Sequence, residues 1–372
     1  MSDIIKPIAL YLPQYHPIPE NDQWWGKGFT EWTNVTNAKL LFEGHWQPRL
    51  PADLGFYDLR VPEVREAQAR LAKDHGIHGF CYWHYWFAGK RLLEKPFSEV
   101  VRSGKPDFPF CLAWANQTWA GKWHGLSNEK LLIEQTYPGE EDYKAHFYAL
   151  LEAFQDPRYI TVDGKRIFFV FRPTELPDSK RFIDCWQDLA YKEGLNGFHM
   201  VAMHMMPDWP YKDFGFDAFT QHATSFFRER WSELSLMKRG NCLRKLLHEA
   251  RNTFRKPPPK SPRLYYYADY ANSYPDFQFG KHEYPMICTD WDNTPRAGYD
   301  GYVFADFNLE LFEKVCQHAF RAANEKPDEE KFVIVKSWNE WAEGNYMEPD
   351  QKYGLGYLET FKKALTTYKN LK

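Results

Sequence analysis

Glu340 and Glu343 stand three residues apart in the run Trp338-Asn339-Glu340-Trp341-Ala342-Glu343-Gly344, at the end of the apolar stretch that begins at Phe332. Two carboxylates that close repel when both are ionised, so one keeps its proton to higher pH while the other stays a base. A proton donor beside a base is what cleavage of a glycosidic bond requires. As bare spacing, E-x-x-E recurs on surface helices; its place after the last apolar run, between Trp338 and Trp341, carries the reading. The two groups can face one cavity only if the chain turns sharply after Glu340.

Eight short apolar runs are separated by longer amphipathic ones: Ile8 to Leu12, His78 to Tyr82, Phe108 to Trp114, Arg166 to Phe171, Phe198 to Met203, Ala218 to His222, Pro285 to Thr289 and Phe332 to Trp338. Short, nearly continuous apolar runs are the mark of parallel strands buried on both faces. Helices are expected over Pro62 to His75, with Pro at the start and Gly76 as the stop, and over Glu141 to Phe154, Asp178 to Lys192, Leu309 to Asn324 and Leu355 to Tyr368. The alternation predicts an α/β fold, a (β/α)8 TIM barrel with long loops and a basic helical insertion. A doubly wound sheet competes, but no G-x-G-x-x-G or G-x-x-x-x-G-K-[ST] follows a strand. One domain over 1–372 is expected, with an insertion at about 223–283.

Barrel chemistry sits just past the strand ends. The residues there are Gln14, Tyr15 and His16; Trp83, His84, Tyr85 and Trp86; Asn116, Gln117 and Trp119; Arg172; His204; Gln221 and His222; Asp290, Trp291, Asp292 and Asn293; and Asn339 with the two glutamates. Hydrogen-bonding groups alternate with flat aromatic faces, the combination that binds sugar hydroxyls and packs on sugar C–H faces. Tyr15, His16, Trp83, His84, Tyr85, Trp114, Asn116, Trp119, Arg172, His204, Asp290, Trp291 and Asn339 are the candidate substrate-binding residues, with Trp83, Trp86, Trp114, Trp119 and Trp291 as candidate sugar platforms; for each tryptophan, core packing is the competing role. Arg172 reads equally as a buried ion pair or as a clamp on substrate. Asp290-Trp291-Asp292 matches the D-x-D of many glycosyltransferases, without a nucleotide-binding half beside it.

Composition narrows the class. The 372 residues carry 47 Lys+Arg against 50 Asp+Glu, a net charge of −3, which gives no cause to expect nucleic acid as the main partner. Aromatic residues make up 18%, more than core filling readily uses, since each Trp and Tyr brings a polar tip that needs a partner. The six cysteines lie far apart without C-x-x-C, so reduced buried thiols are expected. The thirteen histidines include no H-E-x-x-H, and no metal or other cofactor is expected. No stretch approaches the roughly 18 to 20 apolar residues of a membrane span, and Met1 to Pro17 lacks the features of a signal peptide, so a cytoplasmic location is expected. Two segments exceed a minimal barrel. Pro13 to Pro51 is a long loop rich in tryptophan, and Arg228 to Arg263 holds eleven Lys or Arg against three Glu. The latter reads as a solvated helix, as peripheral contact with an anionic inner-membrane surface or a lipid-linked saccharide, or as a nucleic-acid contact.

Ser337 to Asp350, SWNEWAEGNYMEPD, resembles the WbsX-type proteins of bacterial surface-polysaccharide gene clusters, whose domain is similar to glycoside hydrolase family 99, the endo-α-mannosidases. YLPQYHPIPENDQWWGKGFTEWTNV, HWQPRLPADLGFYDLR, GFCYWHYWFAGKRLLEKP and DFPFCLAWANQTWAGKWHG extend the resemblance over nearly the whole chain. It implies a (β/α)8 barrel that binds an oligosaccharide or polysaccharide of the O-antigen or capsule class. Through the E-W-x-E match it implies that Glu340 takes the sugar 2-hydroxyl proton while O2 attacks the anomeric carbon, and that Glu343 protonates the leaving oxygen and later deprotonates water. WbsX-type proteins are also described as glycosyltransferases of lipopolysaccharide or capsule synthesis, which implies an activated sugar donor as the alternative.

Overall fold

The computed structural model describes residues 5–121, 131–203, 205–206, 209–221 and 261–370. His204, His222 and nearly all of the basic segment (222–260) lie outside the described residues.

Strands and helices alternate in the order β1 (Lys6–Tyr11), α1 (Pro62–Asp74), β2 (Gly79–Phe87), α2 (Lys95–Ser103), β3 (Phe110–Trp114), α3 (Glu140–Gln155), β4 (Lys165–Val170), α4 (Ser179–Lys192), β5 (Phe198–Met203), β6 (Ala218–Thr220), β7 (Met286–Cys288), α5 (Leu309–Asn324), β8 (Phe332–Lys336) and α6 (Gly356–Asn370). The strands lie side by side as β6-β5-β4-β3-β2-β1-β8-β7. Every neighbouring pair is parallel. Phe219 of β6 closes the seam towards β7, donating its N–H to His282 O (3.0 Å) and accepting from Tyr284 N (2.9 Å). The fold is a (β/α)8 barrel, with each strand buried between barrel interior and helices as the apolar runs require.

All eight expected strands are present, but β2 is longer than its apolar core implied. It runs on to Phe87, so Trp83, His84, Tyr85 and Trp86 are strand residues and not loop residues. Their sides then alternate. Helix α2, absent from the expected elements, starts with Pro96 in its first turn and stops at Gly104, whose φ of +70° suits glycine. After the undescribed segment, Arg263–Tyr265 pairs in parallel with Tyr302–Phe304, and the helix Tyr267–Ser273 buries Tyr267 and Tyr270 against the barrel. The five described cysteines are free. Among the described residues no helix is long and apolar enough to cross a membrane.

Candidate active site

Past β8 the chain folds into a miniature hairpin. Asn339–Glu340 pairs antiparallel with Asn345–Tyr346 around the single turn Trp341–Glu343, and Gly344 closes it at a φ of +67°. A side chain on Gly344 would meet Asp292 N at 2.7 Å, so both the conformation and the close approach need glycine. Trp341 stacks on Tyr346 with centroids 3.8 Å apart. This is the sharp turn that the E-x-x-E reading needed.

Both glutamates converge on Arg296, in the loop after β7. Its Nη1 lies 2.6 Å from Glu343 Oε1, and its Nη2 lies 3.3 Å from Glu340 Oε2. Lys336, the last residue of β8, places Nζ 3.1 Å from Glu343 Oε2 and 4.0 Å from Glu340 Oε1. Asn345 Nδ2 adds a bond to Glu343 at 3.3 Å. A third carboxylate, Glu31, arrives on the loop after β1, with Oε2 3.1 Å from Arg296 Nη2. These surroundings split the pair. Burial foremost, then the neighbouring Glu343, raise the Glu340 carboxyl. Glu343, although burial opposes it, is held down at about 2 by Lys336 and Arg296. The surroundings thus move the two carboxyls apart, Glu340 up and Glu343 down.

Several expected site residues build this hairpin. Tyr15 donates its hydroxyl to the Asn339 carbonyl and accepts from Trp341 N at 3.3 Å. Asn339 exchanges bonds with the backbone of Leu12, through Oδ1 at 2.7 Å and Nδ2 at 3.0 Å, which ties the end of β1 to the end of β8. Asp290 and Asp292 are held by protein groups. Arg49 Nη1 lies 2.7 Å from Asp290, while Asp292 receives His45 at 2.8 Å and Gln47 and Thr294 at 2.7 and 2.6 Å. Trp291 is buried, stacked on Tyr302 at 5.2 Å and covered by Lys336 Nζ at 5.2 Å. It backs the lysine that binds Glu343.

Other expected residues face elsewhere. His84 and Trp86 point to the helix layer, where His84 meets His146 at 2.8 Å and Trp86 bonds Asp142 at 3.1 Å. Trp114, in register with His84, packs on His146 and Phe182 and is fully buried. The period of two therefore corrects the readings of His84, Trp86 and Trp114 as substrate contacts. Asn116 is also spent on the fold, bonding Arg172 N at 2.7 Å, Arg172 O at 2.9 Å and Tyr137 at 2.9 Å. Arg172 is half-exposed, lying over Phe171 at 5.0 Å and 3.9 Å from Glu175, so it is not the buried ion pair. His16 bonds Pro13 O at 3.0 Å, and its burial lowers its pKa to about 4. Trp83, on the other side of β2, meets Phe171 edge-on at 5.2 Å. Tyr85 feels Glu340 and Arg296 and touches Trp119 at 5.0 Å; Trp119 in turn meets Trp24 at 5.9 Å, which sets partly open aromatic faces near the glutamates.

Glu31, Arg296, Lys336 and Arg49 also surround the pair and its hairpin, and none of them is among the residues expected at the strand ends. Lys336 had a visible signal, a lysine closing the otherwise apolar strand FVIVK. Glu31 and Arg296 sit in the short helices Glu31–Thr36 and Thr294–Ala297, within the connections after β1 and β7, and no spacing in the chain links them to the glutamates.

Behind the hairpin, fully buried Glu348 accepts bonds from Gln68 Nε2 (2.6 Å), Trp341 Nε1 (2.7 Å) and the Tyr57 hydroxyl (2.8 Å). Burial pushes its carboxyl up to about 7 against these donors. A carboxyl raised in the folded state binds a proton that the unfolded chain has released, so its contribution to stability falls as pH rises from the ordinary carboxylate range to about 7, by at most ~1.4 kcal/mol per pH unit. Glu348→Gln cannot ionise, so its deficit against wild type is expected to be largest near about pH 5 and to narrow by about pH 8. Denaturant titrations at the two pH values check this; a deficit independent of pH would mean that Glu348 titrates alike in both states.

The family described as Glycosyltransferase WbsX matches residues 7–361. Two strains of Xanthomonas campestris pv. campestris carry relatives called uncharacterized protein WxcX, each 36% identical over 364 residues that make up 96% of this chain and 49% of the relative. The chain thus spans about half the length of the curated relatives it matches. Among solved structures, a glycoside hydrolase-like protein superposes with a TM-score of 0.58 at 17% identity, covering 98% of this chain and 94% of that one. The GH99 endo-alpha-mannosidase from Bacteroides thetaiotaomicron superposes with a TM-score of 0.57 at 11% identity, covering 100% of this chain and 98% of its own. At those identities the superpositions establish the barrel, and the match along the sequence establishes the kinship: the chain belongs to the WbsX family.

Proposed function

We propose that this chain is a carbohydrate-active enzyme of bacterial surface-polysaccharide metabolism that acts on glycosidic bonds through Glu340 and Glu343. The observation that carries the reading is the pair itself: two carboxylates on one guanidinium, Glu340 buried and Glu343 partly buried, one raised and one held at about 2. Such a couple supplies a proton donor and a base without any further group. The glycosidase-like barrel and the WbsX kinship support the substrate class, and α-mannosides, with a 2-hydroxyl placed for in-line attack, are the first glycans to try.

In the neighbouring-group route, one carboxylate takes the 2-hydroxyl proton as O2 closes on the anomeric carbon, the other gives its proton to the leaving oxygen, and water then opens the 1,2-anhydro sugar. The family resemblance gives Glu340 the base role and Glu343 the acid role. The resting charges favour the reverse, since Lys336 and Arg296 keep Glu343 ionised. A glycosyl fluoride separates the two orders, because its leaving group needs little protonation: the variant lacking the acid keeps turnover of it, and the variant lacking the base does not.

Product analysis by mass spectrometry tests the reading as a whole, with the producing organism's polysaccharide and lipid-linked oligosaccharides as substrates. Glycans shortened or rearranged without any donor support it. Extension seen only with a nucleotide sugar would make the enzyme a transferase, the activity that the family's description carries. The eleven basic residues of 228–263 motivate one finer proposal, contact with an anionic membrane that presents a lipid-linked substrate. Sedimentation with anionic liposomes, lost when Arg244, Lys245 and their basic neighbours are neutralised, is the expected result; no binding would discard it.

A further inference from the structure

Glu31 belongs to no expected set of site residues, yet it shares the guanidinium that joins the two glutamates. It is fully buried, its Oε2 lies 3.1 Å from Arg296 Nη2 and 3.2 Å from Nε, and its Oε1 has no hydrogen-bond partner. The loop that delivers it is pinned on several sides. Glu31 N bonds Gln14 O at 3.1 Å, Trp32 Nε1 bonds Tyr57 O at 2.8 Å, and the Trp32 ring packs on Trp341 of the catalytic turn at 5.6 Å. Arg296 can therefore span Glu340 and Glu343 only with its Nε edge and one Nη committed to Glu31, a fixed planar fork rather than a mobile cation.

We propose that Glu31 is a positioning residue for the Glu340–Glu343 pair: it orients Arg296 from the loop after β1 and adds a negative charge that favours one proton on the pair. The proposal rests on the catalytic reading of that pair. Its charge logic is simple. Three carboxylates, Glu31, Glu340 and Glu343, face two cations, Arg296 and Lys336, and the hydroxyls of Tyr15 and Tyr85 complete the charged and titratable surroundings of Glu340. With all three ionised the cluster keeps an excess negative charge, which one proton removes. Without Glu31, two carboxylates face two cations, and Glu340 keeps only its burial and Glu343 to favour a proton.

The test compares Glu31→Gln, which removes the charge, with Glu31→Asp, which keeps the charge but draws it back from Arg296. Carboxyl titrations by NMR on 13C-glutamate-labelled protein, with the Glu340 signal assigned by its loss in Glu340→Gln, are run beside pH–rate profiles. Glu31→Gln is expected to lower the Glu340 midpoint, and with it the alkaline limb of kcat/KM, by about one pH unit. Glu31→Asp is expected to leave the midpoint within about half a unit and to lower kcat about tenfold, with KM little changed. An unmoved Glu340 midpoint in Glu31→Gln would overturn the proposal whatever the rates do. Should Glu31→Gln fail to fold, Glu31→Asp decides alone: kcat within twofold of wild type overturns the orienting role, and a tenfold loss with the midpoint retained supports it. A midpoint that moves in a protein that turns over no glycan supports the charge coupling and removes the catalytic reading instead.

Discussion

Glu340→Gln and Glu343→Gln are each expected to lower turnover of the cognate glycan by roughly 10²–10⁴-fold, the usual worth of a positioned acid or base. The double variant is expected to be little slower than the worse single, because two groups that share one proton act as a unit. The two singles should differ in stability. Gln at 340 resembles the protonated carboxyl that burial and Glu343 already favour there. Gln at 343 instead deprives Lys336 and Arg296 of the anion that each binds, at 3.1 and 2.6 Å, a loss of about 1–3 kcal/mol for buried donors left without their charged partner. Steady-state rates with circular-dichroism melts check both parts. Singles within about threefold of wild type would mean that the pair is structural.

Arg49→Met is expected to destabilise the fold by about 3–5 kcal/mol, the range for removing one partner of a buried ion pair. Arg49 is buried with Nη1 2.7 Å from Asp290 and 3.1 Å from Gly344 O, and Nη2 3.7 Å from Asp292. Asp292 keeps His45, Gln47 and Thr294 in the variant, so the exposed weakness is Asp290. Burial already raises its carboxyl to about 6 while Arg49 pulls it down; without the arginine it rises further. A carboxyl raised above its unfolded value favours folding at low pH and loses that contribution as pH climbs to the folded pKa. The variant should therefore recover part of its deficit at about pH 5 relative to about pH 8, as urea midpoints would show. Asp292 N also donates to Glu343 O at 2.7 Å, so turnover should fall with stability. A loss below about 1 kcal/mol would mean that water reaches Asp290 and replaces the arginine.

Much of the architecture was written in local pattern. Buried parallel strands need continuous apolar residues, and each of the eight runs became a barrel strand, β5 and α5 with the very bounds their patterns implied. The E-x-x-E run after the last strand named the catalytic candidates because its position, and not its spacing, singled it out. Ambiguity began where one residue changes an outcome. Strand β2 continues five residues past its expected core, and period-two alternation sends His84 and Trp86 to the helices while Trp83 and Tyr85 face the other way. Aromatic content could not reveal that, because tryptophan serves a core and a sugar platform equally well.

The charge state of the pair was decided by tertiary structure alone. Glu31, Arg296 and Lys336 come from the loop after β1, the loop after β7 and the end of β8, separated by as many as 305 positions along the chain. They meet because the sheet closes so that β1 and β7 flank β8. A carboxylate's pKa is set by its burial and by charges within a few ångströms, and sequence distance carries no information about either. The sequence by itself determined the barrel and the two glutamates; the closed barrel decided which of them is raised, which is ionised, and what holds the arginine between them.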